Sequence, residues 1–363
     1  MMEIRFSVSL MFSFFMIFFV GIGNVVMVQA DSVHYNAIAD SSYKGVDGMK
    51  VGGIKTYKSI GKALDDAPAD GIKPYLIYIK IGRYYEKLKV EKPFITFLGE
   101  NKDKTILTFD AASGTLSSNG TKYGTSGSGT IIVRAANFRA ENITIENGFD
   151  FVANQNKESD DPTKVKDTQA VALKLEYQSD KAVFRNVKMT GYQDTLYVDA
   201  GRSYFIDCYI SGHIDFIFGA GQAVFNNCTI VSRLGGYVTA PSTKEDEQYG
   251  ILIMNSRLEK EGIEVADGSV NLGRPWHPGG RPGVNSEVAY INCYMDNHIS
   301  AEGWSSMSGF RPEDSRFYEY GSNGPGARTS LTRQLLSEKD AQNFSFDHVL
   351  NGWNPEENKE NFY

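Results

Sequence analysis

The chain has 363 residues, 41% of them apolar and 22% charged, enough for one large domain or two ordinary ones and too apolar for disorder. Lys plus Arg is 37 against 44 Asp plus Glu, and the net charge of −7 argues against nucleic acid or any polyanion gripped by bulk charge. Three cysteines are too few for a disulfide scaffold, so the core must come from packing.

Residues 1–30 read as a secretory signal. Phe6 to Met27 is apolar with small interruptions, and Val28-Gln29-Ala30 presents a cleavage site before polar Asp31. The competing reading is a retained anchor, because an apolar run of 22 residues just spans a bilayer of about 30 Å. Either way the body, residues 31–363, lies outside the cytoplasm, and it is secreted once the signal is removed. No linker-like stretch divides that body. Thr56 to Ala67 carries Tyr57, Ile60, Ala63 and Leu64 at helical spacing and stops at Pro68. Ser113 to Gly129 is a polar loop running into the strand-like Thr130-Ile-Ile-Val133. A second helix is predicted over Ser337 to Asn343, with Ser337 capping and Asp340 three residues on. Everything between reads as short strands divided by Gly, Asn and Asp turns, and residues from Phe317 onward are expected to pack across them.

Those strands repeat. Phe184-Arg-Asn186-Val-Lys-Met189, Phe205-Ile-Asp207-Cys-Tyr-Ile210 and Phe225-Asn-Asn227-Cys-Thr-Ile230 are copies of one unit, with steps of 21 and 20 residues. Weaker copies hold Asn142, Asn255 and Asn292. A period near 20 without intervening helices predicts an all-β chain wound as a right-handed parallel β-helix. A leucine-rich horseshoe has a similar period but needs a Leu consensus that is absent. The helix near 56–67 would cover the open end of such a stack, where strand edges are otherwise unpaired. The recurring Asn or Asp is read as structural, a side-chain ladder serving the turn of every coil.

The same repeat places chemistry. Gly191-Tyr-Gln193-Asp194 and Gly212-His-Ile-Asp215 share G-x-x-D, with the aspartates 21 residues apart. One coil apart means neighbouring rungs, about 4.8 Å between backbones. Two carboxylates that close do not both ionise comfortably, so one keeps its proton. On periodicity alone a second ladder of turn aspartates is an equal reading. Gln193 beside Asp194, and Gln169 about one coil earlier, add amide donors suited to an oxyanion. Leu272-Gly-Arg274-Pro-Trp276 adds a guanidinium to hold one Asp ionised and a flat ring of the kind that supports a sugar.

Taken together, Gly82-Arg-Tyr-Tyr-Glu86, Gln169-Ala-Val-Ala-Leu173, Gly191 to Tyr197, Gly212 to Gly219 and Leu272 to Trp276 resemble the pectin methylesterases in order and spacing. Asp167 to Leu173, Ser211 to Gly219 and Met295-Asp-Asn-His298 are most similar to the secreted bacterial members. The resemblance implies a parallel β-helix that hydrolyses C6 methyl esters of homogalacturonan, as a monomer, without cofactor or metal. It implies Asp215 as nucleophile held ionised by Arg274, Gln169 and Gln193 as oxyanion donors, and Asp194 as acid and then base. It further implies substrate contacts at Thr125, Gln169, Ile214, Phe218, Tyr237, Arg274, Trp276 and Met307. Two departures stand out: His213-Ile214 replaces a commoner Thr-Val, and the loop between Ser232 and Tyr237 is short, so a charged contact supplied there is not carried over. Cys208 and Cys228 occupy equivalent repeat positions 20 residues apart, which predicts a disulfide in an oxidising compartment. His213, His277 and His298 are isolated and read as ordinary surface or packing residues. Other functions on the same scaffold are a chain-cleaving pectinase and a non-catalytic wall-binding protein.

Overall fold

The computed structural model describes residues 34–357, so the signal expected over residues 1–30 lies outside the described part. Among the described residues no helix is long and apolar enough to cross a membrane.

The architecture follows from one recurring backbone angle. Asn142, Asn186, Asp207, Asn227, Asn255 and Asn292 all adopt left-handed φ, between 50° and 56°. Asn and Asp tolerate this region better than other side chains do. Each residue turns a corner: Ala182–Arg185 runs into Asn186 and Lys188–Thr190 leaves it. The repeat unit is therefore a corner with a strand on either side. Across rungs the side chains bond to one another, Asn186 Nδ2 to Asn142 Oδ1 and Asn227 Nδ2 to Asp207 Oδ1, both at 2.6 Å. Asn186→Ala should therefore lose about 1–2 kcal/mol, since it keeps neither the amide bonds nor the tolerated angle. Asn186→Gly keeps the angle and should lose less. Urea unfolding of the two variants checks the order, and equal loss would show that the angle contributes nothing.

Strands entering the corners build a 12-stranded sheet, and strands leaving them join a 13-stranded one. Among the described strands all pairings are parallel except the hairpin of Met49–Val51 with Ile54–Tyr57. Register is kept from rung to rung, so like residues stack inside. Phe184 pairs with Phe205 and Phe205 with Phe225, their rings 4.7 and 4.5 Å apart and nearly parallel. The main apolar core runs from Ala37 to Phe317.

The first helix is shorter than predicted, Ile60–Asp65, because Ile54–Tyr57 is a strand and Ser59 caps the helix by accepting from the Lys62 amide. Ile60, Ala63 and Leu64 are its buried face. The second predicted helix is present as Glu338–Ala341, with the Ser337 hydroxyl accepting from the Asp340 amide. Gly124–Ser128, Phe151–Gln155 and Phe346–Val349 are short helices that periodicity did not reveal.

Two expectations are corrected. Phe317 does not begin the crossing segment: Arg316–Tyr320 is the final rung of the 12-stranded sheet. Packing on the outer face comes later, where Leu336, Phe344, Phe346, Val349, Leu350 and Trp353 meet Val183, Tyr204 and Val224. The Cys208–Cys228 disulfide is absent, and Cys208, Cys228 and Cys293 are buried free thiols. Each thiol of the pair is aimed at a carbonyl of the preceding coil, Cys208 at Phe184 O (3.4 Å) and Cys228 at Phe205 O (3.5 Å). The two thiols lie side by side on adjacent coils, buried and unbridged.

Candidate active site

The two G-x-x-D segments fold as neighbouring rungs. Leu196 pairs with Ile217 and Tyr197 with Phe218, and the Asp194 amide donates to the Ile214 carbonyl at 3.0 Å. Asp194 and Asp215 thus hold equivalent positions, and both sit in left-handed backbone, φ 64° and 50°. Gly212 is required for this path. A Cβ there would collide with Phe216 and lie 2.6 Å from the Tyr192 carbonyl oxygen.

Arg274 arrives from two rungs beyond Asp215, past the strand that carries Thr239. Its amide donates to Thr239 O (3.1 Å) and the Trp276 amide to Pro241 O (3.0 Å), which fixes the Arg-Pro-Trp turn over the two aspartates. The guanidinium grips Asp215 with two parallel bonds, Nε to Oδ1 at 2.9 Å and Nη2 to Oδ2 at 2.7 Å. Its other face lies 3.8 Å from the centre of the Tyr237 ring. The carboxylates are consequently unequal. Burial pushes Asp194 far above the ordinary carboxylate range and the charge of Asp215 pushes it further, with only the more distant charge of Arg274 opposing. Burial also raises Asp215, but the bonds and charge of Arg274 pull it back. Of the two, Asp194 is the one that keeps its proton.

The amides take up the remaining side. Gln193 Oε1 accepts from Thr168 Oγ1 at 3.0 Å, which orients that amide. Gln169 Oε1 is buried and has no hydrogen-bond partner, an arrangement that favours a bound polar group beside it. Gln169, Gln193, Asp194, Asp215 and Arg274 all line one cleft of about 300 Å³. Thr125, Phe218, Trp276 and Met307 line it too.

Ile214 and Tyr237 are not among the residues lining that cleft. They pair with each other across adjacent rungs, and Tyr237 backs Arg274. Sequence reasoning missed Ser126, Tyr197 and Ala240 in the lining. Tyr197 was findable, since it holds the repeat position of Phe218, and the two rings stack at 4.2 Å. In the short loop, Arg233 is committed to Glu261 (3.0 Å) and to the face of Tyr192. Burial pushes His213 and His298 down to about 4, and His277 stacks on Phe310 at 3.6 Å, so all three pack as rings. Among the described residues no group of three or more His, Cys, Asp or Glu side chains is placed to hold a metal ion.

Known proteins resemble this chain in sequence and fold. The family model described as Pectinesterase matches residues 49–352. Pectinesterase A of Dickeya chrysanthemi is 44% identical over 355 residues, covering 91% of this chain and 96% of that relative. A crystal structure of a pectin methylesterase in complex with a hexasaccharide superposes with a TM-score of 0.84 at 43% identity, covering 89% of this chain and 99% of that one. The pectin methylesterase of Yersinia enterocolitica gives 0.79 at 46% identity over 82% of this chain and 99% of its own. The chain belongs to the pectinesterase family of carboxylic ester hydrolases.

Proposed function

We propose that this protein is secreted and, as a monomer, demethylates homogalacturonan, releasing methanol and leaving pectate, through an acyl-enzyme on Asp215. The observation that carries this reading is the bidentate Arg274–Asp215 pair beside the buried Asp194, which keeps its proton. An Oδ of Asp215 attacks the ester carbonyl carbon, and Gln169 and Gln193 donate to the oxyanion. The tetrahedral species collapses, and the departing methoxy oxygen takes the proton of Asp194 to leave as methanol. Asp194, now a carboxylate, draws a proton from the water that attacks the mixed anhydride. That step frees the galacturonate carboxylate and restores Asp215. The face of Trp276, which packs edge-on to Phe218 at 5.5 Å, supports the pyranose, with Thr125 and Met307 also lining the cleft.

The coil stack that carries the site is read as a right-handed parallel β-helix, the sense that parallel crossovers take, with Ile60–Asp65 closing its first end. Inverting chain cleavage wants carboxyls about 6.5–9.5 Å apart with room for water, and adjacent rungs do not favour it. Methanol release from methylated pectin, followed together with viscosity, tests the reading. Methanol without viscosity collapse is expected, and new reducing ends without methanol would reject it.

The net charge of −7 adds a second expectation. The substrate ester is uncharged and each turnover creates a carboxylate, so at low salt fully demethylated pectin should bind more weakly than methylated pectin. Equal or tighter binding of pectate in calorimetric titration would show that Arg274 outweighs the global charge.

A further inference from the structure

The wall of the cleft that carries Thr125 and Ser126 is the short helix Gly124–Ser128, which has no side-chain cap at its start. What holds it is therefore informative. Ser128 Oγ donates to Thr125 O and accepts from the Val171 amide, which ties the helix to the rung behind it. Lys122 pairs with Asp167 at 2.8 Å, but both side chains are at least half exposed, so that tie is weak.

The third tie comes from beneath. Lys87 follows the Gly82-Arg-Tyr-Tyr-Glu86 motif, whose Glu86 carboxylate is already taken by the amides of Ile60 and Gly61. Its ammonium donates to the carbonyl of Gly129, the residue closing the wall helix, and stands 5.2 Å from the Tyr123 ring centre and 5.7 Å from that of Phe109. Among the described residues no carboxylate forms an ion pair with it. A cation taken from water without a counter-ion is expensive to keep, and burial pushes this ammonium down to about 8. A Met would fill the same space at less expense, and what the ammonium adds is its hold on the Gly129 carbonyl and the Tyr123 ring.

We propose that Lys87 is a positioning residue that fixes the Thr125–Ser126 wall through its hold on Gly129 and Tyr123; the consequence for catalysis rests on reading the cleft as the site for the esterified polysaccharide. The groups facing the ammonium are Tyr123 from the wall and Lys89 from its own strand, with Tyr85 and Asp110 beyond Phe109.

Lys87→Met and Lys87→Arg test this. In Lys87→Met, amide exchange across residues 123–129 should quicken and KM for methylated pectin should rise, each by roughly fivefold. Its kcat should stay within about twofold and its Tm should not fall, because a half-buried charge without a counter-ion is gone. Lys87→Arg should restore both exchange and KM. The unsubstituted protein should lose affinity as pH climbs past about 8, while Lys87→Arg holds it, because a guanidinium does not titrate there. Unchanged exchange in Lys87→Met overturns the proposal, as does an Arg variant no better than Met. If the unsubstituted protein released no methanol, the functional reading would fall and exchange alone would judge Lys87.

Discussion

Asp215→Asn should lower the rate of methanol release by at least roughly 10⁴-fold while leaving the fold intact. The amide keeps the shape of the carboxylate but cannot form the acyl-enzyme, and residual rate from the oxyanion donors and substrate binding is all that remains. The variant should also lose about 2–3 kcal/mol of stability, because Arg274 gives up a bidentate partner while only 19% exposed. Single-turnover methanol release together with urea unfolding separates the two losses. A variant that still releases methanol at even a tenth of the native rate would remove Asp215 from the nucleophile role.

Arg274→Lys should cost about 10²- to 10³-fold in kcat/KM at acidic pH and less at neutral pH. An ammonium is a single point and cannot span both oxygens of Asp215 as the guanidinium does. Burial already pushes Asp215 upward, so weakening the opposing bonds raises it further. The attacking group must be ionised, hence the acid limb of the rate profile moves to higher pH. Along that limb the ionised fraction, and the rate with it, falls about tenfold for each step of one in pH. Asp194 must begin protonated, and a Lys keeps the positive charge nearby, so the alkaline limb should move little. An acid limb that stays in place, or moves down, would show that Arg274 does not govern the ionisation of Asp215.

Much of this was readable in the residues, for a physical reason. A stacked coil returns the same environment every 20 or so residues, so the left-handed corners leave an Asn or Asp at each return, and Asp194 and Asp215 surface by the same logic. Where the chain leaves the stack, that periodicity vanishes. Gly124–Ser128 and Phe151–Gln155 are single turns, too brief to show a helical stripe, and the second is held by Asp150, whose side chain accepts from the Ala153 amide. The role of Tyr237 was hidden because it lies in the direction of a side chain: the ring turns to Arg274 instead of into the cleft. The cysteines are a different case. Equivalent positions bring the two thiols side by side as the spacing implies, but adjacency alone does not decide whether they are bridged.

The backbone angle shared by Asp194 and Asp215 has a consequence for which acid can serve. Left-handed backbone is a joint that admits Asn and Asp and resists longer side chains. A Glu at either position would have to adopt a reluctant conformation and carry its carboxylate one methylene beyond the place where Arg274 waits. The joint therefore selects the amino acid before the reaction does. Along the ladder it is filled by asparagines and by Asp207, some of which bond to the corner on the next rung, and at these two it is filled by the reactive acids. The reactive pair uses the same hinge that elsewhere only turns the chain.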